Sequence, residues 1–117
     1  ELLILDEPTF GQDQRNAEEL LALLRELHAE GRTMVVVTHD MALVAEHATS
    51  VAVMSGGRLL FHGPTRAAFA RPELLATARL SPPPLAQLAA RLGWQGVLTL
   101  EDAVSQLAPQ PIGVPSA

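Results

Sequence analysis

The first strong pattern is an unbroken apolar run, Leu2-Leu3-Ile4-Leu5, stopped by Asp6-Glu7-Pro8. A run without polar alternation, closed by acids and proline, predicts a strand buried on both faces, as in a parallel sheet. Thr9 to Gln12 read as a loop in which Gly11 supplies backbone freedom. Asp13 is placed to N-cap a helix over residues 14–30. Ala17, Leu20, Leu21, Leu24 and Leu27 recur at the spacing of one helical face, and Gly31 closes it. Thr33 to Thr38 is a second strand of buried type, ending at His39-Asp40. Strand, helix, strand at this spacing predicts a right-handed parallel βαβ unit. Asp40 then caps a second helix over residues 41–48.

Two short apolar stretches, Val51 to Met54 and Arg58 to His62, flank Ser55-Gly56-Gly57. A glycine pair between strand patterns predicts a hairpin turn, a better reading than a nucleotide-contacting loop. Short helices are expected at residues 65–70 and 72–79. Ser81-Pro82-Pro83-Pro84 marks a boundary between residues 1–80 and a small helical extension, residues 81–117. Within the extension, Leu85, Leu88, Ala89 and Leu92 predict an amphipathic helix. Thr99 and Asp102 form a capping box for a helix over residues 100–107, with Asp in place of the usual Glu or Gln. Pro109 to Ala117, with three prolines, reads as a disordered tail.

The extension offers Leu85, Leu88, Leu92, Trp94, Leu98, Val104 and Leu107, too few for a self-sufficient core. These side chains are expected to pack on the preceding portion, on a second subunit, or on both, with Trp94 mainly packing the extension itself. The fold class is α/β, with a parallel sheet, flanking helices and a β-hairpin. A buried central strand opening at Glu1, with no methionine before it, predicts that the chain is a fragment.

Composition removes many chemistries. The 117 residues include no lysine and no cysteine. Schiff-base chemistry, the lysine of a phosphate-binding P-loop, thiolate nucleophiles and thiolate metal sites are therefore excluded. Residues 1–50 carry ten acids against three arginines, whereas residues 51–80 carry four arginines against one acid. No basic stripe tracks a phosphate backbone, and few aromatic rings are present, so nucleic-acid binding is not expected. Arg58, Arg66, Arg71 and Arg79 read as a solvated face, and His28, His47 and His62 as surface or packing residues. With no run long enough for a membrane span, a soluble, cytoplasmic protein is expected.

In an open parallel sheet, ligands bind beyond the carboxyl ends of the strands. The first strand ends in Asp6-Glu7 and the second in His39-Asp40, so neighbouring strands would place two carboxylates and an imidazole on one rim. Adjacent Asp and Glu can divide labour, one orienting Mg²⁺ through its waters while the other polarises an attacking water. An imidazole there can sense or stabilise a transferring phosphoryl group.

At this point the residues resemble a family. Leu2-Leu3-Ile4-Leu5-Asp6-Glu7-Pro8-Thr9 resembles the Walker B segment of ATP-binding-cassette (ABC) ATPases, and Thr38-His39-Asp40 resembles their switch-histidine motif. Gly11-Gln12-Asp13 resembles the D-loop, with Gln12 where leucine is commoner. Thr9 to Asp13 is similar to the A-components of energy-coupling-factor (ECF) importers, which move vitamins and transition-metal ions. Leu85-Ala86-Gln87-Leu88-Ala89 is similar to their C-terminal extension.

The resemblance covers residues 1–80 and implies the C-terminal part of a P-loop NTPase domain. The P-loop, Q-loop and LSGGQ-type signature that the family needs are not present, so the chain alone is expected to lack ATP binding. For the intact protein the resemblance implies ATP and Mg²⁺ as cofactors, with hydrolysis driving transmembrane import. Asp6 would hold Mg²⁺ through water, Glu7 would be the general base, and His39 would contact the γ-phosphate. Gly11 and Asp13 would serve the nucleotide across a dimer interface. The implied partners are a second ABC ATPase subunit and an integral membrane subunit, with the protein peripheral on the inner face of the cell membrane. Two alternatives stand beside this reading: an ABC-type ATPase of DNA repair or chromosome organisation, and a non-catalytic interaction module.

Overall fold

The computed structural model describes residues 1–107. The tail expected to be disordered, Pro109 to Ala117, lies outside the described residues. The chain divides into two units after His39. In the first, β1 (Leu2–Asp6) and β2 (Thr33–Val37) pair in parallel, with Leu2 opposite Thr33 and Asp6 opposite Val37. Helix α1 (Gln14–Ala29) connects them. The Asp13 carboxylate accepts a hydrogen bond from the Asn16 N–H at 2.8 Å, satisfying one of the donors that a helix start leaves open. The stripe from Ala17 to Leu27 is the face withdrawn from solvent, with Leu24 buried.

Burial of the two strands on both faces is not what the structure shows. Ile4 is 69% exposed and Val37 54%, whereas Leu3, Leu5, Met34 and Val36 are half-buried. Successive side chains of a strand point to opposite faces, and one connecting helix gives a two-stranded sheet cover on one face only.

The second unit begins at Asp40, whose carboxylate accepts from the Ala42 and Leu43 N–H groups, both at 3.1 Å, to start α2 (Met41–His47). Strands β3 (Ser50–Ser55) and β4 (Arg58–Pro64) form the predicted antiparallel hairpin. Gly56 and Gly57 take φ of 58° and 75°, the double left-handed turn that matches strand twist. β4 continues past His62, because Gly63 and Pro64 still find partners in Val51 and Ser50. Helices α3 (Thr65–Phe69) and α4 (Pro72–Thr77) contribute Ala68 and Leu74 to a core shared with Val53, flanked by Val51, Phe61, Ala78 and Leu80.

Beyond the proline run, α5 (Pro84–Arg91) and α6 (Leu100–Leu107) build a separate small cluster of Ala89, Val97 and Ala103, with Leu85 and Trp94 against it. Trp94 packs where expected. The capping box is formed reciprocally: the Asp102 N–H donates to Thr99 Oγ1 at 3.1 Å, and Asp102 Oδ2 accepts from the Thr99 N–H at 3.2 Å and the Leu98 N–H at 3.0 Å.

Arg58, Arg66, Arg71 and Arg79 are all exposed, as expected of a solvated face, but two of them also make specific contacts. Arg66 Nη2 donates to both oxygens of Asp102 at 2.9 Å, and its Nη1 donates to the Gly96 carbonyl at 2.9 Å. Arg71 lies 5.6 Å over the Phe61 ring. His28 and His62 are exposed, and His47 is half-buried. No helix among the described residues is long and apolar enough to cross a membrane.

Candidate active site

The parallel register of β1 and β2 decides which residues meet beyond their carboxyl ends. Asp6 closes β1 opposite Val37 and is exposed at the rim. One residue on, the Glu7 N–H still donates to the Val37 carbonyl at 2.7 Å. The chain then turns sharply. Glu7 takes φ 47°, a left-handed conformation that costs a non-glycine residue energy. The Phe10 N–H bonds back to the Glu7 carbonyl at 3.1 Å, and Gly11 takes φ 75° within the same loop.

The turn aims the Glu7 side chain at the end of β2. Its Oε1 accepts from the His39 backbone N–H at 3.0 Å and lies 2.7 Å from His39 Nδ1. Its Oε2 accepts from the Thr38 hydroxyl at 3.1 Å. The Glu7 side chain is 30% exposed and that of His39 75%, so the pair sits where a solute can reach it. The His39 ring holds the Glu7 carboxyl below the ordinary carboxylate range; partial burial works against this, and the Thr38 hydroxyl and His39 N–H reinforce it. Glu7 is therefore ionised at neutral pH, the state a general base needs.

Of the residues singled out from sequence, Glu7 and His39 are brought into direct contact, and Asp6 precedes them on the same rim. Gly11 and Asp13 lie in the loop leading to α1, where the Asp13 carboxylate is engaged at the start of that helix. Thr38 is the site residue whose bond sequence reasoning missed. Its signal was modest: a hydroxyl immediately before an imidazole at a strand end.

A magnesium ion fits the donors at this rim. Mg²⁺ keeps most of its waters and takes one or two carboxylates together with substrate phosphates, which a single exposed Asp6 satisfies. An all-protein cage is a different matter: among the described residues, no group of three or more His, Cys, Asp or Glu side chains is placed to hold a metal.

Comparison with known proteins gives a consistent picture. No family model matches the chain. It is 44% identical over 112 residues to an ABC transporter ATP-binding protein of Methanosarcina acetivorans, covering 92% of this chain and 18% of that protein. It is 41% identical over 117 residues to the energy-coupling factor transporter ATP-binding protein EcfA2 of Lacticaseibacillus paracasei, covering 94% of this chain and 41% of that one. Among solved structures it resembles CbiO1 of Clostridium perfringens, described as part of the ABC transporter complex cbiONQ. That match has a TM-score of 0.55 and 33% identity over 79% of this chain and 36% of the other. The chain thus spans less than half the length of each of these relatives.

Proposed function

This chain is homologous to ABC transporter ATP-binding proteins and matches a C-terminal fragment of an ABC ATPase, and we propose that it supplies the Walker B, D-loop and switch-histidine portion of a subunit that hydrolyses ATP to power transmembrane import. The observation that carries this reading is the Glu7 carboxylate held against His39 at 2.7 Å beyond the ends of two parallel strands. Catalysis of phosphoryl transfer to water is mostly positioning and electrostatics, and this rim offers both.

Each side chain has a distinct task. Asp6 would hold Mg²⁺ through water, and the bound ion would supply neutralising charge to the phosphates. Glu7 takes a proton from the attacking water. Because His39 Nδ1 is committed to Glu7, Nε2 is the ring nitrogen that meets the γ-phosphate. Gly11 and Asp13 shape the loop that serves the nucleotide across a dimer interface. Lacking a lysine for a phosphate cradle, the chain by itself binds no ATP. Residues 1–80 form the ATPase portion and residues 81–117 the extension.

The similarity to EcfA2 and to CbiO1 supports an importer of the energy-coupling-factor type, carrying a vitamin or a transition-metal ion. Its partners are a second ATPase subunit and an integral membrane subunit, which places it on the inner face of the cell membrane.

Substituting Glu7→Gln in the full-length protein tests the assignment. Glutamine preserves the local bonds: its Oε1 still accepts from His39, and its amide N–H₂ can donate to Thr38 Oγ1, since a hydroxyl is both donor and acceptor. Only the basic carboxylate is removed. Steady-state hydrolysis should fall by roughly 10²–10⁴, with nucleotide binding retained. Turnover at the wild-type rate would show that Glu7 is not the base.

A further inference from the structure

Among the described residues the Glu7 carboxylate is held by three bonds, and they are unequally placed. Both that reach Oε1 come from His39, whose side chain is 75% exposed. Among the described residues, Oε2 is held by the Thr38 hydroxyl, at 3.1 Å. A carboxylate fixed at one oxygen can still pivot about that oxygen, through coupled changes of its side-chain torsions, and swing the other away. Thr38 is half-buried and β-branched, so its hydroxyl is presented from a stiff, sheltered side chain. The imidazole is the closer contact but the more exposed one.

We propose that Thr38 is a positioning residue for ATP hydrolysis, its hydroxyl on Oε2 setting the plane of the Glu7 carboxylate independently of the His39 ring. The inference rests on the reading of Glu7 as the base. It eases a demand in that reading, because one exposed ring holds Glu7 through Nδ1 and meets a phosphate through Nε2. With Thr38 on the other oxygen, small movements of the imidazole as Nε2 engages a phosphate leave the carboxylate aimed at the attacking water. The β1 turn adds to the need: with φ 47° at Glu7, the backbone alone is a strained support for a side chain that must stay oriented.

The test compares Thr38→Val, which keeps the shape and removes the hydroxyl, with Thr38→Ser, which keeps the hydroxyl, both in the full-length protein with Glu7→Gln as reference. For Thr38→Val, kcat should fall about tenfold, the effect of one hydrogen bond to a charged group, while KM for ATP stays within about twofold. Without nucleotide, exchange of the His39 amide should quicken in Thr38→Val, because its acceptor Oε1 is no longer held in place. Thr38→Ser should restore both properties. Should Thr38→Val not fold, Thr38→Ala takes its place beside Thr38→Ser. A hydroxyl-free variant with wild-type kcat, or a serine variant as slow as the valine one, overturns the proposal, as does a loss that appears only in KM. If Glu7→Gln itself turns over normally, the assignment of the base fails, which is a separate result.

Discussion

Replacing Asp102 by asparagine probes how the C-terminal helices are held. Asp102 Oδ2 accepts from the Leu98 N–H, the Thr99 N–H and Arg66 Nη2, whereas Oδ1 accepts from Arg66 Nη2. Asparagine with its oxygen at the Oδ2 position keeps the two backbone bonds and so the helix cap. Its amide nitrogen then faces the guanidinium, donor against donor, and the charge is gone. A hydrogen bond to a charged group contributes roughly 1.5–3 kcal/mol. Arg66 is 59% exposed and Asp102 23%, so solvent screening reduces that to about 1 kcal/mol. Urea unfolding of Asp102→Asn, Arg66→Met and the double variant isolates this coupling as a cycle. Amide exchange across α6 should quicken in each single variant. A coupling energy below about 0.3 kcal/mol, with α6 exchange unchanged, would reduce Arg66 to a surface contact that holds nothing in place.

Acid should act on the same bond. Partial burial pushes the Asp102 carboxyl up, but the Leu98 N–H, the Arg66 guanidinium and the Thr99 N–H outweigh it and hold the group below its ordinary 3.8. A lowered folded-state value means the contribution is complete above about pH 4 and is lost as pH falls through that value; Asp102→Asn should remove this acid dependence in a pH series of unfolding curves. The 117-residue chain should show no ATP binding by calorimetry with Mg²⁺ present, and micromolar affinity would require a phosphate site of another kind. Ending the full-length protein after Leu80 should weaken subunit association while leaving the Asp6, Glu7 and His39 rim intact. Leu88, Leu92, Leu100, Val104 and Leu107 are each more than half exposed on α5, α6 and the loop residue after α5, which is the apolar area such an interface would use. An unchanged dimer constant in sedimentation would count against that role.

Much of the fold was legible because the deciding forces act over a few residues. Asp13, Asp40 and the Thr99–Asp102 box cap helices through bonds two to four residues away. The Gly56-Gly57 turn needs only two left-handed residues between strand patterns. The candidate site was legible for a related reason. Two strands joined by one helix run parallel, so whatever follows each of them shares a rim, and Asp6-Glu7 and His39 follow them.

Tertiary structure alone decided the rest, wherever the partners are far apart in the chain. Nothing within a window of Arg66 marks it out from Arg58 or Arg79, yet it bonds to a carboxylate 36 residues away. Which oxygen of Glu7 meets Thr38 and which meets His39 depends on a left-handed turn at Glu7 that a Glu-Pro step does not announce. Apolar pattern also overstated burial. A hydrophobic run says that a strand can be covered on both faces, but coverage is set by the layers that surround it, and here Ile4 and Val37 meet solvent. Caps, turns and periodicity are short-range, so the local elements and the identity of the rim residues are written in the order of the residues. The pairing of Thr38, Glu7 and His39, and the reach of Arg66 to Asp102, are long-range, and only the folded chain brings those atoms within hydrogen-bond distance.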